Sequence, residues 1–274
     1  MRAPGDTASH ANLVRVASSS WSMSAQPLLK VENVSKSFGA LAAVDDVSVE
    51  VRAGEILGVA GPNGAGKTTL FNLISGIPFA ADRGRITFDG ERIEAMAPHR
   101  IFRLGLARTF QKEAAFPNLT VAQNVRMAAT FGGHLRAGAR VRAIDEALVL
   151  FDLSGERDRM ASSLTVYATK RLMLASAVVN RPKLLMLDEP ASGLNAAERS
   201  DVQRLILRLR DEGMTIILVE HVLPLLFGVS QRVMVMEFGR KLVEGPPAEI
   251  ARDKQVIQAY LGGQGEAAID ALPG

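Results

Sequence analysis

The chain has 274 residues, 47% of them hydrophobic and 22% charged, with a formal net charge of +3. That is enough apolar sequence for a sizeable core and too little net charge to argue for a polyanionic partner. The absence of cysteine excludes disulfides and thiolate metal sites and fits a reducing compartment, and no uninterrupted apolar run has the length of a membrane span, so a soluble chain is expected.

Residues 1–25 are rich in Ser and Ala, with Arg2, Arg15 and one acid, Asp6. They read as a disordered extension, or as sequence upstream of a start at Met23, with a targeting peptide as the alternative. Patterned sequence then runs from 26 to 262 as one domain. Residues 28–34 and 47–51 alternate apolar and polar, which predicts two strands of a small antiparallel sheet. Residues 55–60 form a short apolar run that reads as a buried strand. It leads into Gly61-Pro62-Asn63-Gly64-Ala65-Gly66-Lys67-Thr68, and 69–74 read as the start of a helix. Asp89-Gly90, flanked by 85–88 and 91–93, predicts a hairpin turn. From about 98 to 180 Ala, Arg and Leu dominate, with helical spacing over 141–153 and 170–179, so a helical subdomain is expected there. Two apolar strands follow, 184–187 and 215–219, separated by a helix over 197–212. Such alternation argues for a largely parallel sheet covered on both faces. Phe238-Gly239-Arg240, within 233–243, suggests a last hairpin, and 254–261 a closing helix. Residues 263–274 read as a flexible tail.

The octapeptide fits the phosphate-binding pattern G-x-x-x-x-G-K-[ST] at every defined position. Its context of strand, glycine loop and helix is what the pattern requires. Glycines let backbone amides turn inward around an anion, and the helix N-terminus adds its positive end. Gly61, Asn63, Gly64, Ala65, Gly66, Lys67, Thr68 and Thr69 are therefore the candidate phosphate cradle for ATP. Lys67, expected on a solvent-facing loop, would reach the β- and γ-phosphates, and the Thr68 hydroxyl would hold Mg²⁺. Downstream, Leu184-Leu185-Met186-Leu187-Asp188-Glu189 is an apolar strand ending in two carboxylates. Adjacent strand residues point to opposite sides, so the two acids suit separate tasks. Asp188 fits a metal-side ligand and Glu189 a base that orients the attacking water.

On these residues the chain resembles the nucleotide-binding subunits of ABC transporters, over roughly residues 28–262. The resemblance implies an α/β P-loop NTPase core with a mixed, mainly parallel sheet, a small antiparallel β subdomain and a helical subdomain. It implies that Gln111, in Ala107-Arg108-Thr109-Phe110-Gln111, senses the γ-phosphate and Mg²⁺ and links the site to a membrane subunit. His221 matches the switch histidine that contacts the γ-phosphate, and Phe38 the aromatic that stacks on adenine. Ser192-Gly193-Leu194-Asn195 matches a loop that crosses a dimer interface. Leu106 to Gln111 followed by Phe116-Pro117-Asn118-Leu119-Thr120-Val121, then Pro190-Ala191-Ser192-Gly193-Leu194-Asn195, and the end from Glu244-Gly245-Pro246-Pro247 through Val256-Ile257-Gln258-Ala259-Tyr260-Leu261-Gly262 are similar to the branched-chain amino acid importer subfamily. That implies membrane permease partners, a second ATP-binding subunit or a second copy of this chain, and an indirect periplasmic solute-binding protein. It also implies a peripheral position on the cytoplasmic face of the bacterial inner membrane and no nucleic-acid partner.

One motif departs from the family. Where its members carry L-S-x-G-Q, this chain has Leu164-Thr165-Val166-Tyr167-Ala168. Thr165 keeps a hydroxyl, but Tyr167 puts a ring where glycine would let backbone approach a γ-phosphate. In a head-to-tail dimer this signature acts on the partner's ATP. The expectation is one degenerate composite site, a preference for a different partner subunit, and low activity alone. The rival reading is an ATP-binding dimerisation or regulatory subunit with little hydrolysis of its own. Intact Glu189 and His221 argue against it.

Overall fold

The computed structural model describes residues 26–110, 115–132 and 135–261. Two sheets organise it. The antiparallel one has the order β2-β1-β4-β5, formed by β1 (Leu29–Phe38), β2 (Leu41–Val51), β4 (Arg83–Phe88) and β5 (Glu91–Arg92). Its inward residues are those the alternation marks: Leu29, Val31 and Val34 on β1 face Val47, Val49 and Val51 on β2. The strands run further toward each other than the sequence predicts, to a tight turn between Phe38 and Leu41. Register shifts along the pair break the alternation that would have revealed it.

The second sheet has six strands in the order β10-β9-β3-β8-β7-β6. β3 (Ile56–Ala60), β7 (Leu184–Asp188) and β8 (Thr215–Val219) are buried along their whole length. β6 (Leu106–Arg108) pairs parallel to β7, β9 (Arg232–Glu237) pairs parallel to β3, and β10 (Arg240–Gly245) turns back antiparallel. Apolar strands with no polar face must be covered on both sides. Successive residues accordingly enter different cores. Ile56, Leu185, Leu187, Ile216 and Leu218 pack with the helices on one side. Leu57, Val59, Leu184, Met186, Ile217 and Val219 pack on the other, against the antiparallel sheet and α1 (Lys67–Ser75).

The helices of the first side are α3 (Val121–Phe131), α4 (Ala137–Leu150), α5 (Val166–Val178), α6 (Ala196–Asp211) and α7 (Leu223–Val229). Two of them begin at reciprocal caps, Thr120 with Gln123 and Asn195 with Glu198. The short α2 (Pro98–Leu104) precedes β6, and α8 (Pro247–Ile250) and α9 (Lys254–Leu261) follow β10. β6 is a correction to the sequence reading. It lies inside the stretch expected to be helical, yet it forms the edge of the central sheet. Three residues are too few to show a strand period, and their pairing with β7 is decided by tertiary packing. The expected extension, residues 1–25, and the expected tail, 263–274, lie outside the described residues.

Candidate nucleotide site

The carboxyl ends of three neighbouring strands, β3, β7 and β8, converge on one edge of the sheet. That is where ligands bind in open α/β folds. The octapeptide leaves β3 there and enters α1 at Lys67. Its shape depends on two glycines. Gly61 has φ 143° and a Cβ on it would lie 2.2 Å from the carbonyl oxygen of Met236. Gly66 caps α1 at φ 98°, and its Cβ would lie 2.4 Å from the carbonyl oxygen of Ala43. No side chain fits either place, so β9 and β2 press directly on the loop backbone. The β9–β10 turn joins them: the Gly239 amide donates to the Ala65 carbonyl at 3.1 Å, and the Asp45 amide to Gly239 at 2.8 Å.

Lys67 is the first residue of α1 and half-buried, rather than on a solvent-facing loop as the sequence suggested. Its ammonium donates to the carbonyls of Gly61 at 2.6 Å and Pro62 at 2.9 Å. Burial lowers its pKa, and the charges of Glu189 and Asp188 pull it back up. A partly desolvated cation bonded to two backbone carbonyls and set at a helix N-terminus suits an incoming polyanion.

β7 ends at Asp188, beside Val219 of β8. Asp188 is buried and ion-paired to Arg108 of β6 at 2.9 Å. Its amide also donates to the Thr109 hydroxyl at 3.3 Å. The Arg108 guanidinium donates to Asn72 at 2.7 Å and Ser75 at 3.1 Å on α1, and it lies between the rings of Phe71 and Phe110, 5.4 Å and 5.0 Å from their centroids. Arg108 has no role legible in the sequence, because nothing in a three-residue strand says which acid its register will meet.

Glu189 follows with φ 51°, an uncommon conformation for a residue with a side chain, fixed by its amide's bond to the Val219 carbonyl at 2.9 Å. Its carboxylate lies 3.7 Å from His221 Nδ1. Glu220, next to His221, is buried, accepts the Ala191 amide at 2.7 Å, and sits 3.9 Å from His221 Nδ1. Burial raises its pKa, against the opposing pull of Ala191 and His221. Phe38 is partly exposed at the β1–β2 turn and packs edge-to-face on Phe79 at 5.0 Å. Ser37 pairs with Ala42, one residue from the Ala43 carbonyl that touches Gly66, so the turn borders the loop. Gln111 lies outside the described residues.

The divergent signature opens α5. Thr165 is its N-cap, accepting the Ala168 amide at 3.2 Å. The Tyr167 ring turns along the helix, 4.6 Å over Arg171, and its hydroxyl bonds Asp201 of α6 at 3.1 Å.

Whether ATP and Mg²⁺ suit these residues can be judged from the donors. Thr68 and Asp188 offer hard oxygen ligands of the kind Mg²⁺ takes, and Thr68 is exposed at the loop. Among the described residues no cluster of three or more His, Cys, Asp or Glu could hold a metal, so phosphate oxygens would complete the shell. The residues fit the pair together, as for metals that arrive with a nucleotide.

Among the described residues no helix is long and apolar enough to cross a membrane. The sequence profile described as ABC transporter matches residues 44–192, more than half of the chain, and one described as Branched-chain amino acid ATP-binding cassette transporter matches 240–266. The high-affinity branched-chain amino acid transport ATP-binding protein LivG of Salmonella typhimurium is 40% identical over 252 residues, covering 86% of this chain and 98% of that protein. The corresponding BraF protein of Pseudomonas aeruginosa is 35% identical with the same coverage of each. A solved nucleotide-free ATP-binding cassette from an ABC transporter superposes with a TM-score of 0.79 at 28% identity, covering 86% of this chain and 99% of that one. A glycine loop in its strand-and-helix setting, paired acids at the neighbouring strand end and these matches together place the chain in the ABC transporter family, as one of its ATP-binding ATPase subunits.

Proposed function

We propose that this chain binds ATP with Mg²⁺ at the 61–69 loop and hydrolyses it to drive uptake of a branched-chain amino acid or a similar small solute. The solute class follows LivG and BraF, whose names carry it. The partners are membrane permease subunits, a second ATP-binding subunit in a head-to-tail dimer and, indirectly, a periplasmic solute-binding protein. The chain would then sit peripherally on the cytoplasmic face of the inner membrane. The observation that carries the catalytic part is the meeting of Lys67, Glu189 and His221 at the ends of β3, β7 and β8.

In this reading the amides of Asn63 to Thr69 cradle the phosphates, and Lys67 reaches the phosphate oxygens from its seat on the Gly61 carbonyl. Phe38 stacks on the base, an interaction worth about 1–3 kcal/mol where bases stack on aromatics. Thr68, Asp188 and Gln111 would hold the metal, which when bound neutralises charge on the phosphate oxygens. Glu189 orients and polarises the attacking water, and His221 meets the γ-phosphate. Catalysis is then positioning and charge stabilisation. Glu189→Gln keeps the shape and removes the charge. It should retain MgATP binding and lose roughly 10²–10⁴-fold in turnover, measured as phosphate release with the cognate second subunit present. Full turnover in that variant would move the role elsewhere, to His221 first.

A second reading is favoured by Tyr167 and Ala168 alone. It makes the chain an ATP-binding dimerisation subunit with little hydrolysis of its own, and Glu189→Gln would then change little.

A further inference from the structure

The first amide of the phosphate loop is held by the far end of the chain. Gly61 N–H donates to the hydroxyl oxygen of Tyr260, 199 residues away in sequence, at 2.7 Å. Tyr260 stands on α9, which is fastened by Val256 and Ala259. Both are buried, and they lie four and one residues before it on the same helix face. The other side of Gly61 is also held, since its carbonyl accepts the Lys67 ammonium at 2.6 Å. Its α-carbon faces the Met236 carbonyl with no room for a side chain. A glycine at φ 143° has no intrinsic reason to stay in that conformation, because it can leave it freely. The contacts around it must hold it, and the Tyr260 hydroxyl is the side-chain contact that reaches its amide. Burial pushes the Tyr260 phenol up, so it remains a neutral hydroxyl at physiological pH.

We propose that Tyr260 is a positioning residue for nucleotide binding. Its hydroxyl fixes the Gly61 peptide, and through the Gly61 carbonyl it fixes where the Lys67 ammonium stands. The C-terminal helix thereby becomes part of the phosphate site without touching a phosphate. The effect should scale with what Lys67 and the loop amides bind: strong for ligands with β- and γ-phosphates, absent for the nucleoside.

This rests on the assignment of residues 61–69 to the phosphates, and the test separates the two. Binding of MgATP, MgADP and adenosine to the full-length protein is measured by calorimetry for wild type, Tyr260→Phe and Tyr260→Leu. Tyr260→Phe keeps the ring and removes only the acceptor, leaving the Gly61 amide unpaired. It should weaken MgATP and MgADP about tenfold and leave adenosine and the melting temperature near wild type. Tyr260→Leu should weaken the same ligands and lower the melting temperature as well. Amide hydrogen exchange at Gly61 should quicken in Tyr260→Phe, a readout that survives even where binding is hard to measure. Wild-type MgATP affinity together with unchanged Gly61 exchange in Tyr260→Phe would overturn the role of Tyr260. Equal weakening of MgATP and adenosine would also overturn it, by locating the effect in the general fold. Failure of the wild type itself to bind MgATP would instead overturn the phosphate-loop assignment.

Discussion

Two buried acids at the strand ends meet different fates. Asp188 is compensated by Arg108, whose guanidinium also donates to Asn72 and Ser75. Removing one partner of such a pair costs on the order of 3–5 kcal/mol, because the other is left charged and buried. Substitution of Asp188 would therefore report on stability as much as on metal binding, and Glu189 is the better probe of chemistry. Among the described residues Glu220 is paired with no Lys or Arg. Its carboxyl is pushed up chiefly by burial, with the Ala191 and Val222 amides and His221 opposing. The folded state thus binds this proton more tightly than the unfolded chain, where the pKa is about 4.3. The stability of the protonated form is fully present below that unfolded value and is lost as pH rises through the folded one. Glu220→Gln keeps an acceptor for Ala191 and removes the charge. It should raise the melting temperature by roughly 2–4 °C at pH 8 and change it little at pH 4.5, followed by circular dichroism. Equal stabilisation at both pH values would show that desolvation of this carboxylate is not the cause.

Elements that announce themselves by their own period were legible, and those defined by a neighbour were not. β3, β7 and β8 stand out as short apolar runs, and the loop after β3 as a local motif. The helices over 141–153, 170–179 and 197–212 have counterparts in α4, α5 and α6, with ends shifted by a few residues. α7 was not anticipated because Leu223–Val229 is apolar all round and shows no stripe. β6 was hidden by its brevity. The site followed the same rule. Lys67, Asp188 and Glu189 can be read from local motifs, whereas His221 is reached through the family resemblance. Arg108 and Tyr260 can be read neither way, since each acts across 80 or more residues through a contact that only the folded backbone creates. The loop itself belongs to several elements at once, and Gly66→Ala tests this. The new Cβ would meet the Ala43 carbonyl of β2 at 2.4 Å, at a φ of 98°. Strain of this kind costs about 1–3 kcal/mol. The variant should unfold at lower urea concentration and lose MgATP affinity, since the loop must move to admit the methyl. Wild-type values for both would mean that β2 yields easily and that the packing there is loose.

At the scale of the whole assembly the divergent signature sets the expectation. Tyr167 is tied to Arg171 and Asp201, and the first turn of α5 is a well-capped helix. The motif has been converted to structure rather than left empty. If the signature acts across a dimer, the isolated chain should release phosphate slowly. Mixing it with a second ATP-binding subunit that carries an intact signature should restore one working site. Tyr167→Gly with Ala168→Gln should raise the activity of the isolated chain, each tenfold gain corresponding to about 1.4 kcal/mol of transition-state stabilisation. That double variant also removes the bond to Asp201 and puts glycine into a helix, at about 1 kcal/mol, so melting is measured beside turnover. Rapid phosphate release by the unmodified isolated chain would sink the asymmetric arrangement.

The phosphate loop lies early in the chain, yet the groups that press it into shape arrive late. Ala43 precedes it, but Met236, Gly239 and Tyr260 are contributed by the last strands and the last helix. During synthesis the octapeptide leaves the ribosome long before these residues exist. A nascent chain therefore carries the motif without its mould, and β3 has both edges open until β8 is made and one until β9 is made. A chain broken off before β9 should keep the octapeptide and lack the Met236, Gly239 and Tyr260 contacts that shape it.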